Sequence, residues 1–562
     1  MNPFPRFTSF AVVCLTLLVG CLAGHPDDCK VTGSRRAPDP EKLLHHTRVL
    51  ASDEFEGRGP GSVGEDRTVA YLAREMERVG LRPGMPDGSW TQAVPIIGIT
   101  STVDCGWKGA AGRRVLEVPQ DVVAWSSSTN GTVRVPSTPM IFVGYGVTAP
   151  EYGWDDYKGV DVRGKTVVML VNDPPVLDPK GNGELDPKMF QGRAMTYYGR
   201  WTYKFEEAAR RGAVAALLIH ETRAAAYPWF VVVNSWGKER FDLAQDPDPK
   251  SPVAGWLSLD AARDLFAQNG MTYEAALERA VTRGFRPIRL AQSFDAVITQ
   301  QTRPVQSRNV LGLLEGSDPV MKSQHVIYSA HWDHLGRDAR REGDQIYNGA
   351  ADNAVGVAGL LELARAFASA EKRPRRSVLF LAPTAEEQGL LGARHYASHP
   401  AYPLESTLAN INMDGLNTWG RTSDLRQVGD GHSTLDEVLL QVVMRHKRRL
   451  LPDPHPERGT FYRSDHFEFM KKGLPALYLK AGDNYRDHPP GYGDKRVLEY
   501  IENDYHKVSD EVKPGWDLRG AAEDLEVLLQ VGWTLAEGAS WPQWKESSEF
   551  RTSKPRGPRS GR

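Results

Sequence analysis

The chain has 562 residues, too long for a single hydrophobic core, and should fold as about two to four domains. Its 69 Lys and Arg against 71 Asp and Glu leave no global field that would recruit nucleic acid or an acidic membrane surface. With 40% apolar residues and no repeat or low-complexity tract ahead of its C-terminal tail, it reads as a folded globular protein.

At the N-terminus a weakly basic start at Arg6 leads into the apolar run Phe10 to Val19, too short for a membrane span and suited to the hydrophobic region of a signal peptide. Leu18-Val19-Gly20-Cys21 resembles a bacterial lipobox, which implies a signal peptide over residues 1–20 and a lipid on Cys21. An ordinary secretory signal with an incidental cysteine is the alternative. Leu22, rather than Asp, after the cysteine points by the same resemblance to the outer membrane, with the protein facing the periplasm or the cell surface. Cys14 leaves with the signal, so Cys29 and Cys105 remain in an oxidising compartment and could form one disulfide. A polar stretch, residues 21–40, would tether the folded part to its anchor.

Glu65 to Val79 carries Val69, Leu72, Met76 and Val79 on one face, with Gly80 as its stop, and predicts an amphipathic helix. The character changes after Val135. An aromatic-rich turn, Tyr152-Gly153-Trp154-Asp155-Asp156-Tyr157, precedes buried-strand patterns at Thr166 to Val171 and Val214 to Ile219, and Ser307 to Gly312 predicts a further strand.

The chemistry-bearing residues follow. His325 to Ala330 reads as a buried strand, so His331 stands at a strand's carboxyl end, where open α/β sheets bind their ligands. Asp333, two residues on, can accept the proton of the imidazole nitrogen turned away from a metal. Asp352 lies in the turn Asn348-Gly349-Ala350-Ala351-Asp352-Asn353-Ala354, which leads into a helix from Val355 to Ala370, and a carboxylate in that turn can reach two metals at once. The strand pattern Ser377 to Ala382 is followed by Glu386-Glu387. Adjacent carboxylates are costly to desolvate unless a cation compensates, which suggests one ligand and one proton carrier. Leu408 to Met413 delivers Asp414 in the same way, and His506 comes from a late loop. One histidine in a loop is usually solvated, and one Glu-Glu pair is usually surface. Five such settings in order are a different matter, because zinc favours imidazole nitrogen and carboxylate oxygen together.

Together these segments resemble the di-zinc exopeptidase family of bacterial leucyl aminopeptidases, glutamate carboxypeptidase II and the non-catalytic transferrin receptor, peptidase family M28. The resemblance implies an α/β fold with a mixed, mostly parallel central sheet flanked by helices. It also implies an inserted β-rich protease-associated domain at residues 136–292, between peptidase segments at 41–135 and 293–540. His331 and Asp414 would hold one zinc, Glu387 and His506 the other, and Asp352 would bridge them. The same ligands also accept manganese or cobalt. Glu386 would be the general base and Asp333 the partner that orients His331. Tyr462, in Phe461-Tyr462-Arg463-Ser464-Asp465-His466, is a candidate to bond the developing oxyanion, although Phe461 leaves the register open. His334 and His488 line the cleft or are solvated. The Asp352–Asn353 peptide is expected to be cis.

The implied activity is that of an aminopeptidase acting on peptides in the bacterial cell envelope. A carboxypeptidase or dipeptidase of the same family would need a basic pocket, which Arg463 or Arg486 could supply. A glutaminyl cyclase normally lacks the insertion, and an inactive binding protein like the transferrin receptor would be expected to lose some of these ligands. A Ser464–His466 nucleophile pair is excluded, since a triad is a spatial arrangement that adjacency does not produce. The tail, residues 541–562, is basic, poor in apolar residues and expected to be disordered.

Overall fold

The structure is a computed structural model that describes residues 34–552 apart from 130 and 182. The signal segment, the lipidation candidate Cys21, and Cys29 lie outside the described residues. No described helix is long and apolar enough to cross a membrane.

Helix α1 (Pro40–Leu50) starts at Asp39, whose carboxylate accepts from the Glu41 amide, and has proline in its first turn. Helix α2 (Val63–Arg78) is capped by the Ser62 side chain and buries Val69, Leu72 and Met76, the face its periodicity predicts. The chain then builds strands β1 (Thr91–Gly109), β2 (Val122–Trp125), β3 (Thr132–Phe142) and β4 (Thr166–Leu170). Helix α3 (Trp201–Arg210), strand β5 (Ala215–Ile219), helix α4 (Trp229–Trp236) and strand β6 (Val253–Leu257) follow. Strand β7 (Ile288–Leu314) runs for 27 residues. After it come β8 (His325–Ser329), α5 (Val355–Ala368), β9 (Ser377–Ala382), β10 (Thr407–Asn412), β11 (Asp424–Val428), β12 (Arg449–Pro452), β13 (Ala476–Ala481) and α6 (Arg519–Glu537).

These strands belong to one 16-stranded sheet, in the order β12-β11-β13-β10-β8-β9-β7-β3-β4-β5-β6-β2, with β1 paired to β7 beside this path. Strands β9, β8, β10 and β13 are parallel neighbours, so β8, β9 and β10 end at the same edge. They are buried along their whole length, as expected of parallel strands covered on both faces. Helix α5, buried everywhere except Ala368, and α6 pack with α1 and α2 in the largest core.

A second lobe grows from the same sheet. Its core joins Val168, Leu217, Phe266 and Phe294 to Cys105, Trp107, Leu116 and Val122. The expected boundary at residue 135 therefore falls inside β3, and residues from Cys105 onward already belong to the second core. The boundary at 293 falls inside β7, whose first part pairs with β3 and whose last residues, Val310 to Leu314, pair with β9. One strand thus spans both lobes.

Both expected free ends are docked where they are described. In the tether, the Arg35 guanidinium pairs with Glu526, the Asp39 amide donates to Glu362 at 2.9 Å, and Arg365 donates to the Ala37 carbonyl at 2.6 Å. In the tail, Trp544 and Phe550 pack with Phe461, Tyr462 and Phe467, while Lys545 pairs with Asp436 at 2.6 Å. A few aromatic side chains anchor a segment whose average composition is polar. Cys105 is buried and free of any disulfide among the described residues, and burial pushes its thiol up to about 12.

Burial also holds the imidazoles of His46, His220, His325 and His432 down at about 4. The unfolded chain takes up these protons first, so the stability of the neutral buried rings is intact above 6.5 and is lost as pH falls toward 4. The melting temperature is expected to drop between about pH 7 and about pH 5. His325→Phe, which can keep the stack on Tyr402 (centroids 4.2 Å apart), should make that drop shallower; an unaltered slope measured by calorimetry would remove His325 from the account.

Candidate metal centre

Three parallel strands deliver the first residues. His331 follows β8, Glu386 and Glu387 follow β9, and Asp414 follows β10, so all four side chains stand at one sheet edge. Asp352 comes from the turn before α5 and His506 from the loop after the helix that ends at Asn503.

The structure brings these six residues together. His331 Nε2 lies 3.5 Å from Asp352 Oδ1 and 3.7 Å from Asp414 Oδ1. His506 Nε2 lies 3.3 Å from Asp352 Oδ2 and 3.2 Å from Glu387 Oε2. Asp352 thus turns one oxygen to each histidine. Zinc bonds of about 2.0–2.2 Å in tetrahedral geometry separate neighbouring donor atoms by about 3.3–3.6 Å, and the observed spacings match. His331 Nε2 is buried with no hydrogen-bond partner, and donor atoms of His331, Asp352 and Asp414 lie within 4.8 Å of one another. This donor set of imidazoles and carboxylates fits zinc.

The electrostatics separate the two adjacent glutamates. Burial pushes the Glu386 carboxyl up, and Asp414, Glu387 and Asp465 push it further against the single opposing pull of His331. Burial also works against the Glu387 charge, but His506 and His334 outweigh it and hold the group well below the usual carboxylate range. For His506 burial favours the neutral ring, yet Glu387 and Asp352 push it up to about 10. Glu387 is therefore the charged member of the pair, suited to a cation, and Glu386 the one able to hold a proton. Glu386 Oε2 lies 4.0 Å from His331 Nε2, beside the ligands.

The loops bearing these groups are tied to one another. Arg58, fully buried, donates from Nε to the Trp332 carbonyl at 2.9 Å, from Nη1 to those of Leu50 and Asn348, and from Nη2 to that of Gly349 at 2.8 Å. One guanidinium thus joins the His331 loop to the Asp352 turn. Asp510 accepts from the Ala351 and Asp352 amides at 3.0 and 3.1 Å. Asn353 donates to the Met413 carbonyl and accepts from the Gly415 amide, joining the bridging turn to the Asp414 turn. Gly349, at φ 57°, admits no side chain: a Cβ there would sit 2.2 Å from the Asp352 carbonyl and 2.5 Å from the His334 ring. The Asp352–Asn353 peptide is cis, as the resemblance implies.

Asp333 acts more on the glutamates than expected. Its carboxylate accepts from the Glu386 amide at 3.0 Å and the Glu387 amide at 3.4 Å, while His331 Nδ1 lies 3.2 Å from the Asp333 carbonyl and 3.7 Å from Oδ1. Tyr462 is not brought to the centre. Its hydroxyl donates to Glu549 at 3.3 Å within an aromatic cluster that includes Tyr197 and Phe467, so the oxyanion role falls away. Of the two expectations for His334, solvation falls away: it is buried, and its Nδ1 lies 2.7 Å from Glu387 Oε1. His488 is exposed and stacked on Tyr492, and Arg486 is spent on a surface pair with Glu523 at 3.0 Å. Arg58 and Asp510 were not singled out by sequence reasoning, since neither lies in a local pattern distinctive of its task, and His334 was named only as a cleft-lining or solvated residue. Tyr505 was also missed, although its place directly before His506 was a signal. Its ring packs 4.0 Å from that of His506, and its hydroxyl is pushed up by burial and by Asp352 and Glu387.

Comparisons with known proteins find relatives for the part of the chain that carries these residues. Residues 309–528 match Peptidase family M28. A probable zinc metalloprotease of Pyricularia oryzae is 33% identical over 326 residues, which are 53% of this chain and 61% of that protein. A vacuolar membrane protease of Coprinopsis cinerea is 26% identical over 44% of this chain, and the match spans only 23% of that longer protein. Among solved structures, the aminopeptidase from Aneurinibacillus sp. strain AM-1 shares the fold with a TM-score of 0.51 at 16% identity, covering 90% of this chain and 96% of the other. The match to Peptidase family M28 thus falls on the part of the chain, residues 309–528, that carries the parallel strands, the bridging turn and His331, Asp352, Glu386, Glu387, Asp414 and His506.

Proposed function

We propose that the protein is a zinc-dependent aminopeptidase with a two-ion centre, removing N-terminal residues from peptides. The observation that carries this reading is the placement of Asp352, whose two oxygens face His331 with Asp414 on one side and His506 with Glu387 on the other. Two divalent ions held there would supply Lewis-acid activation of water and of the scissile carbonyl. Glu386 takes the proton from the attacking water and returns it to the leaving amine, a task suited to a carboxyl that burial pushes well above the usual carboxylate range. Leu18 to Cys21 supports a lipid-anchored enzyme of the cell envelope, and its substrates would then be envelope peptides.

Glu386→Gln should keep the metal and lose the chemistry, with turnover down about 10²-fold or more. Glu387→Gln should instead weaken metal binding, because a neutral amide replaces a charged ligand. Zinc stoichiometry and dipeptide hydrolysis on both variants decide the matter: a Glu386→Gln enzyme with near-normal turnover would overturn the assignment.

A second reading, a carboxypeptidase or dipeptidase, is favoured by Arg463. Its Nη2 donates to the Ala225 carbonyl at 2.6 Å and its guanidinium lies over the Tyr227 ring, but Nε is buried with no partner. Buried Arg200 is held down at about 10 by burial and by the charge of Arg463, and among the described residues neither arginine has a carboxylate partner. Dipeptides blocked at one end separate the readings. An aminopeptidase is expected to cleave the C-blocked substrate and leave the N-blocked one intact, and the reverse result would establish the second reading.

A further inference from the structure

Helix α4 of the second lobe reaches the metal centre directly. Ser235 Oγ lies 2.8 Å from His506 Nδ1, and Asn234 Nδ2 donates to the His506 carbonyl at 2.9 Å. The ammonium of Lys507 lies over the Phe230 ring, 4.1 Å from its centroid. Ser235 is 4% exposed, so water does not compete for this hydrogen bond. His506 itself has φ 56°, a backbone conformation that a non-glycine residue holds only when its surroundings fix it. Three neighbouring residues of one helix, Phe230, Asn234 and Ser235, therefore grip the ring, the backbone and the next side chain of a single loop.

We propose that Ser235 is a positioning residue of the metal centre: it holds the His506 imidazole so that Nε2 faces Asp352 and Glu387, which makes the second lobe a structural component of one of the two ion sites. The chemistry follows from the ring. An imidazole can ligate through Nε2 only as the tautomer with its proton on Nδ1, and that proton needs an acceptor once the ring is buried. Ser235 Oγ is that acceptor. His331, whose Nδ1 faces the Asp333 carbonyl, obtains the same service from its own loop, two residues away. The two ion sites are thus built differently. The His331 site is assembled within the peptidase lobe, whereas the His506 site is complete only when helix α4 is docked. This proposal rests on the two-ion reading above.

The test is a zinc titration of the full chain stripped of metal, in competition with a chromophoric chelator, for wild type, Ser235→Ala and Ser235→Thr. Wild type binding two zinc ions while hydrolysing a C-blocked dipeptide sustains the two-ion reading independently of Ser235. The Ala variant is then expected to bind one ion with wild-type affinity and the other about 10- to 100-fold more weakly, the usual loss when a ligand's supporting hydrogen bond is removed. The Thr variant, which keeps the hydroxyl, is expected to recover most of that affinity. Nitrogen NMR of the His506 ring in the zinc-loaded protein supplies a readout apart from activity: the Nδ1–H should show the slow solvent exchange of a buried, hydrogen-bonded proton in wild type and Ser235→Thr, and lose that protection in Ser235→Ala. Two equal, wild-type affinities in Ser235→Ala, or an Ala and a Thr variant that are equally impaired, would overturn the proposal.

Discussion

Everything at the sheet edge is arranged around a concentration of negative charge that the fold buries. Asp333, Asp352, Glu386, Glu387, Asp465 and Asp510 are all at most 9% exposed, and Asp414 stands beside them. Repulsion and desolvation oppose such a cluster unless cations or directed hydrogen bonds compensate. The chain supplies part of that compensation. His331, His334 and His506 face the carboxylates, Arg58 sits behind the loops, Lys480 donates to the Asp414 carbonyl, and backbone amides point at Asp333 and Asp510. Where compensation is thin, the charge is hardest to hold: Asp465, whose oxygens have no hydrogen-bond partner, is pushed up to about 8 by burial and by Asp333 and Asp414. The remaining charge is what divalent ions held there would neutralise.

The same constraint explains why the loops are so heavily tied. Ligands that repel one another hold their positions only if their backbones cannot spread. Arg58, Asn353 and Asp510 each join two of the ligand-bearing segments through main-chain groups, leaving the ligand side chains free to face the cleft. Parallel strands fix one end of three of these segments. The remaining two, the Asp352 turn and the His506 loop, rely on clamps from residues far away in the chain.

That division also marks what could be read from sequence. His331, Glu386, Glu387 and Asp414 announce themselves because each follows a continuous apolar run, a pattern set by burial on both faces of the sheet. The strands β4, β5, β8, β9 and β10 were legible for the same reason, and helix α2 because its apolar residues recur on one face. The clamps were not. Arg58 lies in a short irregular segment and bonds only to carbonyls, an interaction any exposed arginine could make elsewhere, and Ser235 is one hydroxyl in an apolar helix. Tyr462 looked plausible because motif adjacency stood in for geometry, but neighbouring residues of a one-turn helix point in different directions, and its hydroxyl points to Glu549. The docked tail was hidden by averaging: Trp544 and Phe550 are few among many polar residues, yet two well-placed aromatic rings are enough to seat a short segment.

The continuous strand β7 has a consequence for how this protein could be taken apart or could have been assembled. A module joined by flexible connectors can be excised, swapped or allowed to swing without disturbing its host. Here the upper border runs through the middle of a hydrogen-bonded ladder, with residue 293 paired to Lys108 on one flank and Pro139 on the other. Cutting there would leave raw strand edges on both fragments and open each hydrophobic core to solvent. The two lobes are better regarded as one beam with material added at both ends, and relative motion between them must come from twisting of the sheet rather than from a hinge at this border.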